Sequence, residues 1–424
     1  MKILVVGNGA REHTLVWKMA QSPRTTEIFA APGNAGTARI GRNLDIGASD
    51  IGSMVAAVED NGIELVVVGP EAPLAAGMVD RFQEIGIPVF GPTQQAAEIE
   101  SSKVFAKDLL CTYDIPCGHS ITFSDFIKAK AYIEQQAPPV VIKADALAAG
   151  KGVVVAGTIQ QALEALSDFM ESKKLGEAGN RVIIEEHLSG REMSAFVFTD
   201  GEKVIPLAYA CDYKRIYDGN SGPNTGGMGS YSPPSFLTPG LAGQVQQEIM
   251  QPTVRAMAQE GRTYRGLLYG GLMITGEGPK VIEFNARLGD PETQVVLPLL
   301  KTDMVDIILA TINGDLDKVN VECHEGACVG VVMASGGYPG SYETGFPITG
   351  LDDVDDGILV FHAGTKPGSK PGEVLTSGGR VLTVAARGET LNRAREKVYD
   401  NISRIHFKDC YYRKDIALLE EAGK

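Results

Sequence analysis

The chain has 424 residues, enough for about three domains at ~100–200 residues each. Its 39 Lys and Arg against 53 Asp and Glu leave a net charge of −14, which argues against nucleic acid as a partner, because a phosphate backbone calls for a basic face. Apolar residues at 44% are ordinary for a globular protein, whereas the 50 glycines, about 12% against a usual ~7%, need an explanation by position.

No uncharged apolar stretch approaches the ~18 residues of a membrane span, so no membrane partner is expected. The apolar run in the opening MKILVVGNGAREH is too short for a signal peptide. Cysteines 111, 117, 211, 323, 328 and 410 show no disulfide-framework spacing and read as free thiols in a reducing, cytoplasmic setting. Cys323-His324 with Cys328 lacks the second ligand pair that a metal site needs.

In chain order, Lys2–Val6 reads as a strand ending in Gly7-Asn8-Gly9, with a helix at 10–21 behind it. Strands at 27–30, 65–68 and 87–90 end similarly in APGNAG, GPEAPL and GPT. Four strands with Gly- or Pro-marked loops predict a doubly wound, Rossmann-like parallel sheet whose ligands lie at the carboxyl ends of the strands. GNGARE is not a dinucleotide fingerprint, because Glu12 stands where the third glycine packs helix on strand. Gly7 to Gly9 can still hold a phosphate at the helix N-terminus, or form only a tight turn. Glu71 opens on the same rim and is otherwise a solvated loop acid.

The middle of the chain carries denser chemistry. A strand at 140–143 ends in Lys143 and leads through ADALAAGKG, residues 144–152, to a return strand at 153–156. Backbone N–H groups at Gly150 and Gly152, with Lys143 and Lys151, can fold over a polyphosphate, although an ordinary hairpin would look the same. The segment is neither a P-loop, since Gly152 follows Lys151, nor a protein-kinase loop, where the glycines precede the lysine. Beyond a strand at 182–185, Glu185 and Glu192 bracket a turn and suit ribose hydroxyls and an exocyclic amine, both donors; His187 reads as structural or exposed.

In the run 281–287 a period of two puts Glu283, Asn285 and Arg287 on the face opposite Ile282 and Phe284. Two oxygen ligands at that spacing suit magnesium completed by substrate phosphates, and an arginine beside them suits an anion; a solvated strand face is the alternative. Asp290 and Glu292 add two acids to the same place. Residues 212–231 are rich in Gly, Asn and basic groups without periodicity, a mobile loop or a functional one. From 327 short strands (329–334, 358–362, 380–385) and a helix at 390–402 predict a small α+β domain that completes the site from outside, with no chemistry of its own.

The order of strand lysine, LAAGKG, the hinge E-x-x-L-x-G-x-E and EFNAR resembles the ATP-grasp fold of carboxylate–amine ligases. GNGAREH, APGNAG, GPEAPL, KADALAAGKGV, GPNTGGMGSYSP and EFNARLGDPETQ together resemble the phosphoribosylamine–glycine ligases (glycinamide ribonucleotide synthetases) of purine synthesis, from Met1 to about Tyr412. Ala10 and Ala146 stand where that family commonly has glycine, and Tyr213 departs from its DHKR stretch. The resemblance implies an N-terminal Rossmann-like substrate domain (1–102), an ATP-grasp domain (103–326, lid about 120–192) and a small C-terminal α+β domain (327–424).

It further implies ATP as substrate with Mg2+ or Mn2+ on Glu283 and Asn285. Lys103, Lys143, Gly150, Lys151 and Gly152 would meet its phosphates, Glu185, Glu186 and Leu188 the adenine, and Glu192 the ribose. Glycine and 5-phosphoribosylamine would bind at Asn8, Gly9, Glu71, Asp212, Lys214, Gly226, Gly227, Arg287, Asp290 and Glu292. Arg287, Lys143 and Lys214 are the candidate catalytic groups, and the protein is expected as a monomer or weak homo-oligomer. A sibling ATP-grasp carboxylase should lack GPNTGGMGSYSP, a nicotinamide oxidoreductase would rest on GNGARE alone, and a nucleotide sensor would not need a metal strand.

Overall fold

The structure is a computed structural model that describes residues 1–145 and 152–418. Near-continuous apolar runs form β1 (Lys2–Gly7), β2 (Glu27–Pro32), β4 (Leu65–Val68) and β5 (Val89–Phe90), all buried as a sheet covered on both faces requires. With the two-residue edge strand β3 (Arg42–Asn43) they make a parallel sheet of order β3-β2-β1-β4-β5. β3 is too short to carry a sequence signature; it exists because it pairs with β2.

Four strands follow as a separate antiparallel layer: β6 (Ser120–Phe123), β7 (Val140–Ala144), β8 (Val153–Ala156) and β9 (Val182–Glu186), in the order β6-β9-β7-β8. The helices Phe126–Ile133 and Ile159–Met170 pack on this layer. Ala129, Ile133, Ile142, Leu166, Phe169 and Ile184 give it a core of its own.

The remaining strands are β10 (Arg191–Thr199), β11 (Val204–Asp212), β12 (Arg215–Tyr217), β13 (Ser221–Asn224), β14 (Gly229–Ser232), β15 (Gly266–Thr275), β16 (Gly278–Asn285), β17 (Ala327–Ala334), β18 (Ile358–His362), β19 (Thr365–Pro367), β20 (Val374–Thr376) and β21 (Arg380–Gly388). Eight of them form one antiparallel sheet, β16-β15-β10-β11-β14-β17-β21-β18, while β12–β13 and β19–β20 are small hairpins. One correction to the sequence reading follows. The 212–231 segment is not a plain loop: it holds the β12–β13 hairpin and the sheet strand β14, whose Gly and Ser residues form a strand because β11 and β17 flank them. In the C-terminal part, β17, β21 and β18 extend the central sheet through β14.

Packing joins the parallel sheet to the rest. Leu4, Val6 and Val66 on one face share a core with Met250, Leu268 and Phe284, while Ile3, Val5 and Val67 on the other pack with Phe196, Leu267 and Leu299. The substrate-side loops are pinned to β18 by hydrogen bonds. His362 donates its N–H to His13 Nδ1 at 2.8 Å, and Asn34 Nδ2 donates to the carbonyls of His362 (2.8 Å) and Asn8 (2.9 Å).

Burial first, with the neighbouring charge, lowers His13 to about 3 and His362 to about 4, so both stay neutral when folded. An unfolded histidine takes up its proton below about pH 6.5, so this stability is complete above that pH and is lost as pH falls. At pH 5 each neutral histidine costs about 2 kcal/mol relative to the unfolded chain. Urea titrations at pH 7.5 and 5.0 should therefore show a stability drop about 2 kcal/mol smaller in His13→Asn than in the parent chain; equal drops would contradict this assignment.

Candidate active site

The carboxyl end of β16 is the centre of the site. The strict period of two expected from the sequence is broken by a bulge: Glu283 pairs with Gly271 and Val281 with Leu272, so Ile282 lines the cleft beside Glu283 while Val281 and Phe284 lie in the core. Glu192, Ser194, Asp212, Lys214, Tyr269 and Glu283 line one cleft on β10, β11, β15 and β16 and the residue pair just beyond β11. Burial works to raise the Glu283 carboxyl, but the charges of Lys214, Lys143, Lys103 and Arg287 overcome it and hold it below its ordinary value. Four of the five cations that the sequence singled out from distant segments thus act on one carboxylate, and the fifth, Lys151, lies outside the described residues. Asn285, two residues on, is buried at the strand end.

Lys143, Lys214 and Arg287 each lie close to a carboxylate. Lys214 Nζ lies 2.6 Å from Glu192 Oε2 and 4.0 Å from Asp212 Oδ1. Burial pushes Asp212 up to about 7 against the pull of Lys214. Lys214 itself, despite burial, is raised by Asp212 and Glu192 and holds its proton. Beneath them Glu292 accepts hydrogen bonds from Tyr269 Oη (2.8 Å) and Ser194 Oγ (3.2 Å), a buried network that ties the turn after β16 to β10 and β15. Glu292 is therefore a buried scaffold group in this structure rather than an open ligand.

The four-stranded layer β6-β9-β7-β8 meets the cleft through a second set of charges. Lys143, at the end of β7, lies 2.6 Å from Glu185 Oε2 and donates to the Ile282 carbonyl at 3.0 Å. Lys107 pairs with the other Glu185 oxygen, so one buried carboxylate is gripped by two buried lysines. Sequence reading missed Lys107, although it stands one turn after Lys103 on the helix Lys103–Thr112 and so shares its face. Asp145 accepts from Ser102 Oγ and the Val104 N–H, both at 3.1 Å, and pairs with Arg181 at 2.5 Å, docking the end of β7 onto the same helix. Burial lowers Lys103 despite Glu283 beside it. Glu186 and His187 are exposed and Leu188 half-buried; Glu186 accepts from the His119 N–H at 3.1 Å. The Gly152 carbonyl accepts the Ala144 N–H at 2.8 Å, while Ala146, Gly150 and Lys151 lie outside the described residues.

The third side is the rim of the parallel sheet. Glu12 fills the space that a third glycine would leave: its carboxylate accepts the Gly9 N–H at 2.7 Å and pairs with Arg11 at 2.5 Å. A Cβ on Gly69 would lie 2.2 Å from that carboxylate, so GNG and GPE close around it. The first anion at this helix N-terminus is thus the protein's own. Arg287 reaches the rim, with Nε 3.3 Å from Glu71 and Nη2 3.1 Å from Glu100. Burial opposes ionised Glu71, but Arg287 and Arg11 hold it below its ordinary value.

The C-terminal strands also contribute, through residues that the sequence reading did not name. Arg380 of β21 donates from Nη1 to the carbonyls of Gly226 (2.6 Å) and Asp290 (2.8 Å), and Tyr338 Oη accepts the Gly226 N–H at 3.0 Å. Asp290, whose Oδ2 lies 3.2 Å from where a Gly9 Cβ would stand, joins this segment to the rim. Tyr213 points the other way: its hydroxyl accepts the Ala417 N–H at 3.0 Å and its ring carries the Arg413 guanidinium at 4.8 Å, so its departure from the family pattern touches packing, not the cleft. Cys328 is buried in the core, burial pushing its thiol up to about 12. Among the described residues no three His, Cys, Asp or Glu converge on a metal.

Gly227 has φ +111°, and a Cβ there would stand 2.4 Å from Pro291 Cδ. Gly227→Ala should therefore destabilise the fold by about 1–3 kcal/mol through backbone strain and overpacking. A melting temperature unchanged from the parent chain would refute that packing.

Comparison with known families matches residues 1–100 to the phosphoribosylglycinamide synthetase N domain, 101–293 to its ATP-grasp (A) domain and 328–419 to its C domain. Phosphoribosylamine–glycine ligase of Halalkalibacterium halodurans is 52% identical, over 98% of this chain and 96% of its own. The enzyme of that name from Escherichia coli K12 is 49% identical over 98% of both. The crystal structure of phosphoribosylamine–glycine ligase from Thermotoga maritima superposes with a TM-score of 0.86 at 34% identity, covering 98% of this chain and all of that one. Biotin carboxylase from Campylobacter jejuni, at 15% identity and TM-score 0.76, shares the fold alone. The chain belongs to the phosphoribosylglycinamide synthetase family, with the three domains of that family in order and an ATP-grasp domain at its centre.

Proposed function

We propose that this chain joins glycine to 5-phosphoribosylamine with ATP, giving glycinamide ribonucleotide, ADP and phosphate. The observation that carries the reading is one cleft lined by Glu192, Asp212, Lys214 and Glu283, with Lys143 reaching its wall at the Ile282 carbonyl, where paired lysines and carboxylates can exchange partners with a polyphosphate and its cation. Its walls come from the lid layer, the parallel-sheet rim and the Gly226–Asp290 junction, which suits three ligands meeting at one point.

Glu283 and Asn285 would hold the divalent ion, Mg2+ or Mn2+. One carboxylate and one amide oxygen, held among cations, fit an ion that takes one or two protein ligands and completes its shell with phosphates and water. When bound, such an ion neutralises phosphate charge during transfer. The residues do the rest by position. Lys103 and Lys143 hold phosphate oxygens, Glu185 and Leu188 border the nucleotide and Glu192 accepts from ribose hydroxyls. A glycine carboxylate oxygen attacks the γ-phosphorus as its bond to the ADP oxygen breaks. The neutral amine of phosphoribosylamine then attacks the acyl carbon, and phosphate leaves with the electron pair while the amine gives up a proton. Arg287 stabilises the charge that develops on the transferred group, a role worth about 10² in rate. Asn8, Gly9, Glu71, Asp212, Lys214, Gly226, Gly227 and Asp290 form the surface for the amino-sugar phosphate and glycine. No step uses an enzyme nucleophile.

A coupled ADP-release assay tests this. Release should require both glycine and phosphoribosylamine, and release with bicarbonate replacing glycine would favour a carboxylase instead. Glu283→Gln should lower turnover by about 10²-fold or more with the circular dichroism unchanged; near-parental turnover would remove Glu283 from the metal role.

A further inference from the structure

Arg287 is gripped by two carboxylates of different character. Glu71 sits on the rim with its side chain 36% exposed and is shared with Arg11, whose Nη1 is 4.0 Å away. Glu100, the penultimate residue of the helix Gln94–Ser101, is buried, with its side chain 8% exposed. Its two oxygens do two jobs. Oε2 accepts the Ala286 N–H at 2.7 Å, and Oε1 lies 3.1 Å from Arg287 Nη2. A single carboxylate therefore holds both the backbone at the exit of β16 and the side chain of the next residue. Arg287 Nη1 donates to the Leu288 carbonyl at 3.2 Å, so all three guanidinium nitrogens are engaged and its plane is set.

We propose that Glu100 is the positioning residue that fixes Arg287 at the cleft, and that Glu71 is the exchangeable rim partner. The physical reason lies in solvation. Glu71 can turn to solvent or to a ligand donor, whereas Glu100 has no water to turn to and would be left as an uncompensated buried charge. Glu100 meets the guanidinium through one oxygen only, but its other oxygen is fixed by the Ala286 N–H, so that single contact is itself held in place, which matters where a small misplacement costs rate. Glu100 follows Glu98-Ile99 and precedes Ser102-Lys103 in sequence, a context with no strand alternation or motif to mark it.

The choice of assay rests on the ligase reading, so glycine-dependent ADP release by the parent chain is the control for that reading. Given it, Glu100→Gln should lower kcat by about 10-fold or more while the KM for ATP stays within about 2-fold. In an Arg287→Met background the same change should alter kcat by less than about 2-fold, since the group it positions is gone. An equal loss in both backgrounds would mean a general structural role and overturn the proposal. A raised ATP KM with unchanged kcat would do the same, by placing the effect on Lys103. If E100Q does not fold, E100D carries the test, because its shorter side chain keeps the charge but cannot reach both partners. A crystal structure of the variant reads the position of Arg287 without any assay: a displaced guanidinium is expected, and an unmoved one would refute the positioning role even if the ligase control itself failed.

Discussion

A polyphosphate site needs positive charge, and buried positive charge without a partner is expensive in a low-dielectric interior. This protein meets both demands by giving the cations of the cleft carboxylate partners. Lys107 and Lys143 share Glu185, Lys214 lies between Glu192 and Asp212, Arg287 between Glu71 and Glu100, and Arg380 beside Asp290. An incoming polyanion therefore enters an arrangement that is already nearly neutral, and it must replace or share partners rather than fill bare charge. The exposed pairs, with Glu192 and Glu71, are the ones a ligand can exchange at low cost. The buried pairs, Lys107–Glu185 and Arg287–Glu100, hold the geometry.

The same pairs connect parts that the hydrophobic core leaves separate. The parallel sheet and the central sheet share two apolar clusters, but the four-stranded layer has a core of its own. Its links to the cleft floor include Glu185 to Lys107, Asp145 to Ser102 and Val104, and Lys143 to the Ile282 carbonyl. A polar junction of this kind can reorganise without opening an apolar core. The Glu100–Lys103 stretch stands at the junction, touching Arg287 on one side and Asp145 on the other.

Much of this was legible in the chain. The buried runs of β1, β2 and β4 announce a parallel sheet because a strand covered on both faces has no polar alternation. Glu283 and Asn285 are readable as a pair because a period of two is imposed by the pleat. Other features were not legible, for reasons that can be named. Strand β14 consists of Gly, Ser and Tyr and forms only because two neighbours need a partner. Arg380 and Tyr338 act on Gly226 from more than a hundred residues away, and nothing local marks them. Glu12 could be read as the loss of a glycine, but not as the carboxylate around which two loops close.

What the sequence determined by itself is the chemistry available: which groups can bind phosphate, metal and hydroxyls, and on which local elements they stand. Those properties depend on residue type and on short-range periodicity, so they survive without knowledge of the fold. The glycine excess belongs here in part, since several glycines stand where a side chain would collide with a neighbour, as at Gly69 and Gly227. Only the tertiary structure decided which carboxylate neutralises which cation, and whether a charged residue is a ligand or a support. Pairing is a matter of distance and burial between segments far apart in the chain, and no local pattern encodes it.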